Sequence, residues 1–323
     1  MRATLFWGIV VSLITSVLPA SEKIELHQAG DHLRIETDAL SARINTKGYV
    51  SGVAGRSFLD KKTGARDLGF GLHIMDFLLA PGDRNDGYAH PEFHGKIAKH
   101  YVEGPQICTQ AKELQPEIHR GDDFLAIRFQ FTFTKPGRGY KAGSVWRQTL
   151  LFRPGLRYFF SSETITSAND HEALFYRIDM PGHVQHQSGD RFEKIWLSYH
   201  GEIPASEFRQ NFPPDEKFLY QRRDGSIPSR MIRAYQVRLG GRPGPWLAGM
   251  TLDPAAVSEA WCHQRGYVCF IQELHQRPVR VGETFGAAYI VGWFDDRAEM
   301  EAVYDRYKGK SRIDIVSGKA ELK

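Results

Sequence analysis

Four short stretches carry side chains able to move protons. The first reads Leu174-Phe-Tyr-Arg-Ile-Asp-Met-Pro-Gly-His-Val-Gln-His186. A strand alternates its side chains, so Tyr176, Ile178 and Met180 share one face and Arg177 and Asp179 share the other. Pro181-Gly182 ends that strand and delivers His183 at its mouth. An imidazole there can give or take a proton near neutral pH, with Tyr176 and Arg177 as candidate substrate contacts. The plain alternative for Arg177 and Asp179 is a solvated ion pair worth little. The second stretch is Tyr199-His200-Gly201, again at a strand end. The third is Gln272-Glu273-Leu274-His275, where a carboxylate closes an apolar run as a general base at a cleft rim would. The fourth is Asp86-Gly-Tyr-Ala-His-Pro-Glu-Phe-His-Gly95. Its Pro and Gly preclude a regular helix, so His90 and His94 are not held at helical spacing. Tyr88, His90 and His94 therefore read as a substrate-facing loop rather than as metal ligands.

Other chemistries find no footing. There is no G-x-S-x-G elbow, phosphate loop, H-E-x-x-H or C-x-x-C pair, so neither a cofactor nor a metal is expected. The 323 residues carry a formal charge of +4 without a basic cluster, which gives no case for nucleic acid. Arg2, an apolar run over residues 5–18 and Pro19-Ala20 match a secretory signal peptide spanning residues 1–20. The expectation is a secreted or periplasmic protein, residues 21–323, with no membrane association after cleavage. Cys262 and Cys269 flank Gly266. The register of that hairpin decides between a disulfide and two separate buried thiols. Cys108 has no obvious partner.

The elements that must position these groups are strands. Leu125, Ile127, Phe129, Phe131 and Phe133 take every second position, the mark of a half-buried strand. Similar segments cover residues 72–79, 145–152, 157–165, 174–180, 195–199, 231–238, 246–252, 257–263, 266–272 and 284–293. Turn clusters such as Arg153-Pro154-Gly155 and Gly240-Gly241 separate them. So many short strands predict one large antiparallel β domain. One helix is expected near the C-terminus. Asp295 or Asp296 caps it, Met300, Val303, Tyr304 and Tyr307 form its stripe, Gly309 closes it, and it should pack on the sheet edge. Residues 81–102 and 201–230 read as long functional loops.

Three segments carry a resemblance. Ser41-Ala-Arg-Ile-Asn-Thr-Lys-Gly-Tyr-Val-Ser-Gly52 with Leu59-Asp-Lys-Lys-Thr-Gly64 resembles the opening hairpin of galactose mutarotase-like β-supersandwich domains. Residues 146–169 resemble their paired central strands, and residues 267–289 their closing carboxylate strand. The resemblance implies an all-β, large antiparallel β-supersandwich. In aldose epimerases of that fold a His protonates the ring oxygen and a Glu removes the anomeric hydroxyl proton. Carried over, these roles fall on His183 and Glu273. The family's Asn-His-x-Tyr-Phe run is absent here, and its Glu position falls on Ile271, two residues before Glu273. Polysaccharide lyases share the fold, and Tyr176, Arg177, His183, Tyr199 and His200 are the types that β-elimination of a uronate needs. A noncatalytic carbohydrate-binding module is a third reading. All three imply a mono- or polysaccharide ligand.

Overall fold

The computed structural model describes residues 24–50, 52–82, 98–103, 106–186 and 191–323. The expected signal segment and the loop carrying Tyr88, His90 and His94 lie outside the described residues.

Two large antiparallel sheets dominate. The nine-stranded sheet runs, in spatial order, Gly201–Pro204, Phe192–Leu197, Ile232–Leu239, Arg242–Thr251, Thr284–Phe294, Tyr158–Thr166, Val145–Phe152, Leu125–Thr132 and Glu117–Arg120. The seven-stranded sheet runs Tyr220–Gln221, Val257–Gln264, Tyr267–Val279, His171–Asp179, Ile74–Pro81 and Lys99–Tyr101, with Val184–Gln185 also on Tyr267–Val279. A four-stranded sheet from the N-terminal segment, including His32–Glu36 and Leu40–Asn45, adds Leu33, Ile35 and Ile44 to the core. The fold is the all-β antiparallel sandwich that the strand pattern implies.

Phe159, Val291 and Trp293 from the nine-stranded sheet meet Tyr176, Ile178 and Phe270 from the seven-stranded sheet in the inter-sheet core. Each such side chain contributes about 1.5–3 kcal/mol when fully buried. The far face of the nine-stranded sheet is also buried. Phe160, Ala248 and Ile290 lie under Met300, Val303 and Tyr304 of the Arg297–Tyr307 helix and under Ile313 and Ala320 of the C-terminal hairpin. The helix covers a sheet face, not the edge expected. Its start is capped as expected: the Glu299 N–H donates to Asp296 Oδ1 at 2.9 Å. The C-terminal hairpin of Ile313–Val316 and Lys319–Leu322 completes this layer.

In the core one expectation fails and one open alternative is decided. Tyr176 is fully buried between the sheets, its hydroxyl 2.7 Å from that of Tyr289, so it cannot touch substrate. Cys262 and Cys269 do not bond. Cys262 pairs with Phe270 across the hairpin and Cys269 with His263, so the two thiols point to opposite faces of one sheet and both are free. One side chain ties the sheets together. Arg233, fully buried on Ile232–Leu239, donates from Nη1 to the Ile271 carbonyl at 2.6 Å and from Nη2 to the Met180 carbonyl.

Candidate active site

The candidate site lies on the face of the seven-stranded sheet turned away from the core. Register builds it in rows. Glu259 pairs with Glu273, Glu273 with Arg177, and Arg177 with Phe77. The next row holds Trp261, Ile271 and Asp179, and the next His263 and Cys269. Rows two residues apart lie about 7 Å apart along the strand.

The first row is a closed charge cluster. Arg177 donates to Glu273 Oε1 from Nη2 at 2.6 Å and from Nε at 3.1 Å. Lys99 Nζ donates to Glu273 Oε2 at 2.7 Å and to Glu259 Oε2 at 3.1 Å. Both cations also sit over the Trp261 ring, the guanidinium carbon at 5.2 Å and the ammonium at 5.3 Å. Burial pushes the Glu273 carboxyl up, but Lys99 and Arg177 together hold it below the usual range. Glu259 goes the other way: burial and the charge of Glu273 raise it against the pull of Lys99. A carboxylate clamped by two cations is a weak base. Glu273 is also not at a strand end, since Tyr267–Val279 continues past it.

His183 sits two rows away. The chain turns onto it through Gly182, at φ 108°, where an added Cβ would lie 1.7 Å from the Gly71 carbonyl oxygen, so the turn admits only glycine. Nε2 of His183 forms an ion pair with Asp179 Oδ2, and the Phe270 N–H donates to Asp179 Oδ1 at 2.8 Å. Arg177 and Asp179 are therefore not paired with each other on a solvated face. Each has a separate buried partner. Burial pushes the His183 imidazole down, but the charge of Asp179, with Cys269 alongside, outweighs it and leaves the pKa well above the ordinary value. Burial lifts the Cys269 thiol to about 11, so it is an uncharged neighbour at neutral pH. The ligand atoms of Asp179, His183 and Cys269 lie within 4.8 Å of one another, the one group among the described residues with a donor set for a metal ion.

His183 keeps 14% of its side chain exposed. Aromatic rings frame that opening: Tyr267 lies 5.0 Å from the imidazole and Phe70 6.3 Å. Phe70 is 40% exposed and is held by its N–H, which donates to the His183 carbonyl at 3.0 Å. Tyr49, also partly exposed, turns its hydroxyl toward Cys108 and Asp76. Such rings give the opening an apolar rim. Asp76 completes the group. It is buried, Gln106 Nε2 donates to its Oδ1 at 3.1 Å, and burial raises its pKa to about 6.

His183, Arg177 and Glu273 thus share one face, although Glu273 is locked in ion pairs. Tyr199 and His200 do not join them. They follow Phe192–Leu197 of the other sheet, where Tyr199 packs on Tyr220 at 5.6 Å and His200 on Phe218 at 5.0 Å. The Tyr199 hydroxyl is buried toward Cys262 and Arg233, on the core side. The roles foreseen for this pair are corrected accordingly. Sequence reasoning missed Asp76, Lys99, Glu259, Trp261 and Phe70. Asp76 did leave a signal, as the only charged residue in the apolar run Ile74–Leu79.

No protein-family model matches the chain and no curated protein matches it. Solved structures do. An aldose 1-epimerase structure from Klebsiella pneumoniae aligns at 11% identity and TM-score 0.45, covering 90% of this chain and 88% of that one. Galactose 1-epimerase from Lactobacillus acidophilus aligns at 9% identity and TM-score 0.44, covering 86% and 100%. A galactose mutarotase related enzyme from Lactobacillus acidophilus aligns at 10% identity and TM-score 0.40, covering 83% and 99%. The likeness is one of fold.

Proposed function

We propose that this chain is a carbohydrate-active enzyme performing acid/base chemistry on a sugar, of the aldose 1-epimerase type. One observation carries the reading: a histidine paired through Nε2 with the Asp179 carboxylate at an opening framed by Phe70 and Tyr267. A charged imidazole can donate its proton to the ring oxygen of a pyranose stacked on those rings. The ring C1–O5 bond then opens as the anomeric hydroxyl loses its proton, and reclosure on the other face inverts C1. β-Elimination fits less well. It needs a cation to neutralise a uronate, and Lys99 and Arg177 are committed to Glu273 and Glu259. We also propose that the protein acts outside the cytoplasm, on the strength of Arg2 and the apolar run after it. Exported material should begin near Ser21.

The test is polarimetry on a panel of aldoses, with ultraviolet absorbance of uronate polysaccharides run in parallel. Catalysed mutarotation that falls roughly 10²–10⁴-fold in His183→Gln supports the reading. Unsaturated product ends replace it with a lyase. Sugar binding without either reduces the protein to a binding module.

A further inference from the structure

An epimerase with His183 as its acid still needs a base, and Glu273 is held by two cations. We propose that Asp76, turned onto the active face by a β-bulge, is the general base of this site. The inference rests on the epimerase reading and adds a catalytic residue to it.

The bulge is visible in the register. Along His171–Asp179, Ile178 pairs with Met75 and Arg177 pairs with Phe77, so Asp76 has no residue opposite it. Met75 and Leu78 belong to the inter-sheet core, whereas Phe77 lies under the Arg177 guanidinium at 5.6 Å on the active face. In a regular strand Asp76 would alternate with Phe77 and point into the core. The extra residue breaks the alternation and re-aims its side chain beside Phe77, a common use of bulges near active sites. On that face Asp76 lies within the electrostatic reach of His183, Asp179 and Arg177, and of Tyr49, Cys108, Tyr267 and Cys269. Gln106, just before the short Ile107–Gln110 helix, fixes its Oδ1.

A buried carboxylate in the middle of an apolar strand costs stability, a cost that functional sites carry. Burial raises the Asp76 pKa to about 6, His183 lowers it and Asp179 raises it. Asp76 is therefore ionised at neutral pH yet more basic than Glu273. Its step balances. Asp76 takes the proton of the anomeric hydroxyl, the electron pair of that O–H bond forms the carbonyl at C1, and the C1–O5 pair leaves to O5, which accepts the proton of His183. Reclosure returns both protons.

The experiment compares wild type, Asp76→Asn, Asp76→Glu and Glu273→Gln by polarimetry across the pH range, at full-length protein and with melting curves for each. Asp76→Asn should lose roughly 10²–10⁴-fold in kcat with little change in KM. The wild-type acidic limb should fall near pH 6 and move in Asp76→Glu. A carboxyl resonance absent from Asp76→Asn should titrate near pH 6, a readout independent of turnover. Wild type that mutarotates sugars while Asp76→Asn keeps its rate overturns the base assignment alone. A folded Glu273→Gln that abolishes the acidic limb overturns it too. Wild type inactive on every sugar overturns the enzyme reading itself and the base with it.

Discussion

Glu273→Gln should be a stability mutation before it is anything else. The side chain is 1% exposed and accepts three charge-assisted hydrogen bonds, at 2.6, 3.1 and 2.7 Å. Each such bond is worth about 1.5–3 kcal/mol, so the gross loss is about 4–9 kcal/mol. The amide recovers part of this. Glu259 recovers more, because the charge that raises its pKa is gone and it can answer Lys99 fully. A net cost of about 3–5 kcal/mol remains, the usual penalty for taking one partner from a buried ion pair. For a chain of this size, with an unfolding entropy of about 2.1 cal/mol/K per residue, that is a fall of roughly 4–7 °C in melting temperature. Glu259→Gln is the control. It is bonded to Lys99, at 3.1 Å, and to Gln221, and its removal relieves repulsion with Glu273, so it should cost about 1–2 kcal/mol. Thermal and urea melts of both variants decide the matter. If Glu273→Gln melts with wild type but loses turnover, the carboxylate is reserved for chemistry and the clamp argument is wrong. Equal losses in the two variants would also refute it.

Asp179→Asn removes the charge that holds His183 protonated, so the alkaline limb of the pH–rate profile should move to lower pH. The raised His183 pKa means that the pair stabilises the fold at low pH and stops doing so as pH rises through the raised value, and melts of this variant should show that dependence vanish. Asp76 also has a raised pKa, so its burial is tolerated while protonated and opposes folding as pH rises through about 6. Asp76→Asn should therefore melt higher than wild type at pH 8, by up to about 3 kcal/mol, and no higher at pH 4. Gly182→Ala should fail to fold, shown by loss of soluble protein, because no flexible atom stands in the way but the Gly71 carbonyl. Thiol counting on denatured, unreduced protein should return three free thiols.

The sheets were legible because turn clusters and period-two runs are local signals. Val145–Phe152 was bounded to the residue, and Asp296 and Gly309 did mark the helix. The site was legible only where alternation held: Arg177 and Asp179 fell on one face, and Pro181-Gly182 did present His183. What lay across strands was not readable. The pairing of Glu273 with Lys99 joins residues 174 apart, and no single strand's pattern announces it. Val257–Gln264 did carry a signal, since Glu259, Trp261 and His263 alternate with Ala260 and Cys262, but nothing local ties that face to Glu273. The bulge at Asp76 misled in a sharper way, because period-two reasoning assigns that residue to the wrong side.

Arg233 governs how this protein tolerates change. Its guanidinium reaches from one sheet to the backbone carbonyls of Met180 and Ile271, directly behind His183 and Asp179. The spacing of the proton-transfer groups is thus set from the rear, by a residue no ligand can reach. Surface segments around the opening can drift in sequence without disturbing that spacing. Substitutions in the distant Ile232–Leu239 strand cannot. The molecule separates what selects the ligand from what acts on it, and a laboratory evolution campaign should find permissive sites at the rim and silent failures at the back.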